Sequence, residues 1–235
     1  MKIFQNISWT KTGLQRYSLK TNKEERDEFC SSIISSSSPS FGFYLLLLLS
    51  TFIVTFGLIK DNVILLIGGM MVAPLLSPIL SVSLALTILN FKVFLRSLVV
   101  FFLSAITSLI VAALIGLTTE ISLQAIGAIS LMSQFDFATL LIPVAAGAAA
   151  SFTWAKKDLA SSLSGVAVTV TLLPPLAAMG LAISSGEKAI FRDALAIYSL
   201  NVSGIIIGSL AIFILLGFYK SAKKVIKEVK KEEQS

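Results

Sequence analysis

The chain has 235 residues, 55% of them hydrophobic and 14% charged. Runs of about 20 apolar residues in such a composition indicate an all-α polytopic membrane protein rather than a soluble domain. The chain has no histidine and one cysteine, and it shows no carboxylate pair or nucleophile–base set. We therefore predict no enzyme, no metal site and no cofactor. The net charge of +6 flanks the apolar runs, which favours contact with a lipid bilayer and no nucleic acid.

Residues 1–40 form a polar segment with six basic and four acidic residues. Residues 22–34 make either a short helix on the membrane surface or a partly ordered polar lead-in. At the other end, residues 220–235 form a basic tail with six lysines. This tail is predicted either to contact anionic lipid or to be solvated.

Between these segments lies a transmembrane domain, residues 41–219, with six predicted spans. A linker, residues 118–136, separates the first three spans from the last three and suits a short interfacial helix. The spans are residues 41–59, 62–90, 93–117, 137–154, 159–184 and 194–219.

An even number of spans places both termini on one side of the membrane. The side of the termini then carries 16 Lys and Arg residues and the other side carries 3. By the positive-inside rule, this asymmetry predicts that both termini are cytoplasmic.

The second span contains two prolines and two glycines within GGMMVAPLLSPI, residues 68–79. As one helix, the 29 residues from 62 to 90 would reach about 43 Å, against a hydrocarbon core of about 30 Å. We therefore predict that this span is strongly tilted or broken at its prolines. The fifth span contains Pro174 and Pro175 and is predicted to be kinked or broken in the same way.

The chain matches itself at an offset of 97 residues, with 13 identities over the 51 positions from residue 60 to 110. Lys60-Asp61 falls on Lys157-Asp158, and Pro78 falls on Pro175. Each repeat, residues 41–117 and 137–219, holds three spans. Because three is odd, the repeats have opposite orientations, an arrangement common in secondary transporters. Duplication for structural reasons alone is the alternative.

The run SPSFGFYLLLLLSTFIVTFGLIKDNVILLIGGMMVAPLLSPILSVSLAL, residues 38–86, resembles the signature region of an uncharacterised hydrophobic membrane family, "domain of unknown function" 389. The resemblance extends over about residues 38–217. It implies a multi-pass protein of a bacterial or archaeal inner membrane, and it supplies neither a substrate nor active residues.

The proline breaks are the predicted substrate-binding site. Ser77-Pro78 has the form of an N-cap followed by a first-turn proline, and Pro174-Pro175 can start a second half-helix. The positive end of such a helix favours an anion. Alternatively, the prolines only kink the helices, and the hydroxyls bond their own backbone. The predicted residues are Gly68, Gly69, Pro74, Ser77, Pro78, Gly165, Thr169, Thr171, Pro174, Pro175 and Asn201.

We hypothesise a secondary transporter or channel-like permease for an unidentified small polar or anionic solute or ion. The alternative is a membrane scaffold or sensor that acts through oligomerisation or lipid contact. Gly204 and Gly208 form a Gly-x-x-x-Gly motif, and Gly147 lies in a small-residue patch. These glycines pack helices either within one subunit or in a homo-oligomer.

Overall fold

The computed structural model describes residues 23–119, 137–155 and 172–232, and within these ranges the regular structure is helical, with no strand. Three described helices, α2, α5 and α8, are long and apolar enough to cross a membrane, and α3 and α4 together make a fourth if a bent pair counts as one span. The helices are α1 (Lys23–Ser36), α2 (Phe41–Ile59), α3 (Val63–Val72), α4 (Leu76–Thr87), α5 (Phe91–Thr118), α6 (Phe137–Ala155), α7 (Leu173–Ser185), α8 (Lys188–Leu215) and α9 (Ala222–Glu232), with a 3₁₀ turn at Phe218–Ser221.

The predicted helices at 41–59, 93–117 and 137–154 are confirmed as α2, α5 and α6, within two residues at each end. Local capping explains two of these starts. The Ser40 side chain accepts a hydrogen bond from the Phe43 amide, and the Asn90 side chain accepts one from the Val93 amide. These bonds satisfy amides that have no partner inside the helix.

The predicted second span consists of two helices, α3 and α4, whose axes are bent by 52°. Ala73, Pro74 and Leu75 lie between them. Proline suits this interruption because it has no amide hydrogen to place in a helix ladder. Only α7 of the predicted fifth span is described, because residues 156–171 lie outside the described ranges.

The sixth predicted span begins too late. The predicted span begins at residue 194, but α8 begins at Lys188 and already includes Arg192 and Asp193. Apolarity marks the part of a helix that suits lipid, whereas charged residues are compatible with the helical turns before it. The other end is sharp, since Gly217 has a φ of 77°, a left-handed conformation that glycine adopts readily.

The described parts of the two terminal segments pack against each other, a contact that was not predicted from the sequence. Phe29 of α1 makes edge-on ring contacts with Phe213 and Phe218, at centroid distances of 5.4 and 4.8 Å. In α9, Val225 and Val229 are buried, and α9 contacts α1. The described part of the N-terminal segment is therefore a packed helix and not a polar lead-in, and the tail uses its apolar face for protein contact.

Two short helices lie inside the bundle. Every residue of α4 except Leu86 is buried, and nine of the thirteen residues of α7 are buried. Helix α4 contacts α1, α5 and α8, and helix α7 contacts α2, α5 and α8. Such burial on all faces is expected of a helix at the centre of a bundle.

Candidate functional site

The start of α4 differs from its prediction. Ser77 is not the N-cap: Leu75 takes that position, with no side-chain capping bond, and α4 begins at Leu76. The Ser77 hydroxyl instead donates a hydrogen bond to the Pro74 carbonyl at 3.1 Å. Ser77 is therefore the second residue of α4 and lies inside the helix, not at its cap.

Prolines in the first helical turn disturb neither inner helix. Pro78 is the third residue of α4, and Pro174 and Pro175 are the second and third residues of α7. The first amides of a helix have no acceptor inside it, so proline costs nothing there. A proline in the first turn also lacks the amide N–H group that could donate a hydrogen bond to an anion. The anion preference predicted for these helix ends is therefore weaker than the helix dipole alone suggests.

The two glycines of α3 have different surroundings. A Cβ atom added to Gly69 would lie 2.7 Å from Val54 Cγ2 and 3.0 Å from the Val54 nitrogen, so Gly69 allows α2 and α3 to approach closely. Gly68 is exposed, and a Cβ atom there would meet nothing within 4 Å. Of these two predicted site residues, Gly69 thus packs α3 against α2, whereas Gly68 makes no such contact.

Asn201 lies on α8, the helix that contacts both α4 and α7. Its side chain is buried, with 8% exposure. Pro74 and Pro174 are half-buried, and Pro78 and Pro175 are buried. The structure thus places the predicted residues Ser77 and Pro78 of α4, and Pro174 and Pro175 of α7, on two helices that both contact α8, the helix of Asn201. The other predicted residues Gly165, Thr169 and Thr171 lie outside the described ranges.

Two buried hydroxyl pairs, neither of them predicted from the sequence, join α5 to α4 and α5 to α2. The Ser81 and Ser97 hydroxyls, on α4 and α5, lie 2.7 Å apart. The Thr51 hydroxyl of α2 donates to the Ser108 hydroxyl of α5 at 3.1 Å. Serine spacing alone does not predict such pairs, because most buried hydroxyls here bond a carbonyl of their own helix, as Ser83 does with Ile79.

An aromatic pair joins the two longest helices. The rings of Phe101 on α5 and Tyr198 on α8 are parallel within 1°, with centroids 6.2 Å apart. Both side chains are buried, and among the described residues the Tyr198 hydroxyl has no hydrogen-bond partner. The sequence did contain a signal for this pair, because Tyr198 follows Phe101 by 97 residues, the offset of the internal repeat.

Glycines on α6 and α8 allow these two helices to pack closely against each other. A Cβ atom on Gly204 would lie 2.8 Å from Pro143 Cβ, and one on Gly208 would meet the Val144 carbonyl and lie 2.8 Å from the Ala148 nitrogen. The Ser209 hydroxyl also donates to the Gly147 carbonyl at 3.1 Å. Of the two interpretations of the Gly-x-x-x-Gly motif, the structure thus supports packing within one subunit, because α6 already occupies this face.

Charged residues of the described ranges lie towards the ends of the long helices. Helices α2, α3, α4 and α7 contain none, and those of α5 and α8 lie within their first two turns. Within the described ranges, no cluster of three acidic or cysteine side chains suits a metal ion. One open groove of about 310 Å³ lies at the α7–α8 turn, lined by Ala182, Ile183, Gly186, Lys188 and Phe191.

Comparisons with known proteins identify a family whose function is unknown. The family model described as "Domain of unknown function (DUF389)" matches residues 70–207, more than half of the chain. An uncharacterized protein of Methanocaldococcus jannaschii is 32% identical over 195 residues, which are 83% of this chain and 59% of that protein. The chain therefore spans about three-fifths of the length of this curated relative. No solved structure matches the chain. The extent of the family match establishes that the chain belongs to the DUF389 family, whose function is unknown.

Proposed function

We propose that the chain is a secondary transporter or channel-like permease for a small polar or anionic solute, built from two inverted three-span repeats. The main support is the regular offset between helices. Helix α7 begins 97 residues after α4, and α8 begins and ends 97 residues after α5. An offset detected from residue identities thus recurs in helix boundaries, which were not used to find it.

The helix contacts support the same symmetry. If the two repeats are exchanged, the α4–α5 contact corresponds to α7–α8, and the α4–α8 contact corresponds to α7–α5. The α2–α5 contact corresponds to α6–α8. All six of these contacts occur in the structure. Phe101 and Tyr198 are equivalent residues of the two repeats and they stack on each other. A residue can touch its own symmetry equivalent only close to the symmetry axis, so this pair marks the expected axis.

The broken helix supports a site near the membrane centre. The ten residues of α3 span about 15 Å, half of a hydrocarbon core of about 30 Å. The interruption at Pro74 would then lie near the midplane. Irregular backbone at that depth needs protein or water around it, as it has in transporter sites.

We further propose that both termini are cytoplasmic. The basic helix α9, the helix α1 and the first turns of α5 lie at the same end, since Arg96 donates a hydrogen bond to the Ser38 hydroxyl at 3.2 Å and α1 contacts α9. Exposed Lys223, Lys227 and Lys230 add positive charge there, as expected for a cytoplasmic face.

Locking the two repeats together tests this function. Gly116 of α5 and Ser184 of α7 belong to different repeats, and a Cβ atom on Gly116 would lie 3.0 Å from Ser184 Cβ. Disulfides need about 3.5–4.5 Å between these atoms, so a small separation of the two helices brings the pair to bonding distance. In a Cys30→Ala background, which removes the only cysteine, we would make Gly116→Cys with Ser184→Cys. Flux of polar solutes and anions would be measured in proteoliposomes, oxidised and then reduced.

The matched control is Thr51→Cys with Ser108→Cys, which joins α2 and α5 within one repeat. Oxidation is expected to stop flux in the first pair and to leave it in the control, and reduction is expected to restore it. Equal flux in the oxidised and reduced first pair would rule out motion between the repeats. Absence of protein-dependent flux for every solute would reject the permease proposal itself.

A further inference from the structure

Resting on the proposed permease, we propose that the Tyr198 hydroxyl is a solute-binding group, and that the site it forms with Asn201 takes a small uncharged solute with hydroxyl or amide groups. Tyr198 lies on α8, the helix in contact with both inner helices. Its side chain has 9% exposure, and among the described residues its hydroxyl has no hydrogen-bond partner.

An unpartnered buried hydroxyl calls for an explanation, because buried polar groups are nearly always hydrogen-bonded. Phenylalanine would fill the same space without the cost of burying a hydroxyl. The first repeat does contain phenylalanine at the equivalent position, since Phe101 precedes Tyr198 by 97 residues. The two repeats thus differ by one hydroxyl at the place where their equivalent side chains stack.

The next turn of each helix repeats this difference. Asn201 follows Tyr198 by three residues and lies on the same face of α8, and its equivalent in the first repeat is Ser104. The Ser104 hydroxyl donates to the Val100 carbonyl of its own helix at 2.7 Å. The second repeat thus contributes a phenol and an amide near the proposed axis, and both groups donate and accept hydrogen bonds.

Charge decides the class of solute. No charged residue occurs in α4 or α7, nor between Ser97 and Leu117 of α5 or between Ala194 and Leu215 of α8. A desolvated ion there would lack a counter-charge, which is costly. The first-turn prolines also reduce the number of amide N–H donors at the starts of α4 and α7. A small neutral solute can instead be held by hydrogen bonds to neutral groups.

The test is Tyr198→Phe, which removes one oxygen atom. Glycerol and urea serve as probes, and their entry into proteoliposomes is followed by stopped-flow light scattering. We expect the flux of both probes to fall about fivefold, the ratio that corresponds to one hydrogen bond. The control is Tyr219→Phe, which removes an exposed phenol hydroxyl and is expected to leave both fluxes unchanged.

A second measurement reports binding without transport. With Tyr17, Tyr44 and Tyr219 replaced by phenylalanine, a ¹³Cζ label on tyrosine reports only Tyr198, since the chain has four tyrosines. Glycerol or urea is expected to shift this NMR signal saturably, and sucrose, chloride and inorganic phosphate are expected not to. The thermal midpoint of Tyr198→Phe should equal or exceed that of the wild type, which shows that the variant is folded.

The outcomes separate the two proposals. If wild-type flux is present but Tyr198→Phe keeps it, and the label does not respond to the probes, the Tyr198 site is wrong while the permease stands. A saturable shift without any flux supports the site and overturns the permease. A shift with chloride or phosphate alone overturns the uncharged class, and no response of any kind overturns the site.

Discussion

The two inner helices have the same place in their repeats but are held by different interactions. Helix α4 carries Ser81, whose hydroxyl lies 2.7 Å from that of Ser97 on α5. The equivalent residues on α7 and α8 are Ala178 and Ala194, both fully buried. A hydrogen-bonded serine pair in the first repeat thus corresponds to two buried alanines in the second.

A second difference between the two inner helices lies two residues further along. Ser83 of α4 corresponds to Gly180 of α7. A Cβ atom on Gly180 would lie 2.6 Å from Ala112 Cβ and from the Leu109 carbonyl, so α7 packs against α5 at closer range than a side chain allows. At matched positions of α4 and α7, a hydroxyl in one helix is thus replaced by close backbone packing in the other, and membrane helices use both kinds of contact.

The largest effect is expected from Gly180→Ala. The added methyl group would overlap backbone atoms of α5 that cannot rotate away, and overpacking of this kind costs about 1–3 kcal/mol. We expect the free energy of unfolding to fall by that amount, measured by SDS-induced unfolding in mixed micelles. The matched substitution in the first repeat is Ser83→Ala, which removes only a bond to the Ile79 carbonyl and should change stability little.

A control for substitution of glycine itself is Gly68→Ala. No atom lies within 4 Å of the added methyl group there, and alanine favours the helix by roughly 0.5–1 kcal/mol. Equal destabilisation by Gly180→Ala and Ser83→Ala would show that the contact of α7 with α5 is no tighter than that of α4 with its neighbours.

A smaller effect, equal in the two repeats, is expected from Pro78→Ala and Pro175→Ala. Both prolines are the third residue of their helices, where no amide hydrogen is needed. The remaining consequence is a more flexible unfolded chain, worth about 0.4–1 kcal/mol of stability. The same unfolding assay checks this, and a clearly larger loss in one variant would show that its proline does more than start a helix.

Much of the fold was predictable because its causes are local. Apolar runs and the caps Ser40 and Asn90 locate α2 and α5, and the 97-residue offset relates Leu76 to Leu173 although helix starts were not part of the comparison. The exact start of α4 was not predictable from Ser77-Pro78, because either of two nearby prolines fits a helix start and the Ser77 hydroxyl bonds backwards to Pro74.

The candidate site was less predictable because its features depend on which helices meet. The sequence indicated Asn201 and the inner prolines, but not the hydroxyl of Tyr198, since a tyrosine in an apolar run usually anchors a helix at an interface. Only the packing of α8 places it beside Phe101. The close contact of Gly204 with Pro143 of α6 also depends on tertiary packing. The Gly-x-x-x-Gly motif by itself was compatible with packing within one subunit and with packing in a homo-oligomer.

The smallest effect is expected from replacing Ser81 and Ser97 by alanine, the residue at the equivalent positions 178 and 194. After Ser81→Ala, Ser97 keeps its bond to the Val93 carbonyl at 2.9 Å. After Ser97→Ala, the buried Ser81 hydroxyl loses the partner that lies 2.7 Å away. We therefore expect Ser97→Ala to be the more harmful single change, because an unmade hydrogen bond costs more than one removed from both sides.

The double variant Ser81→Ala with Ser97→Ala should be no less stable than Ser97→Ala alone, since it reproduces the alanines present at 178 and 194. A double-mutant cycle in the SDS unfolding assay is expected to give a coupling energy of about 0.6 kcal/mol, the average for such bonds between membrane helices. Additive single effects would show that the two hydroxyls do not interact. The polar and apolar contacts would then be equivalent, and the contrast between the repeats would rest on the packing at Gly180 alone.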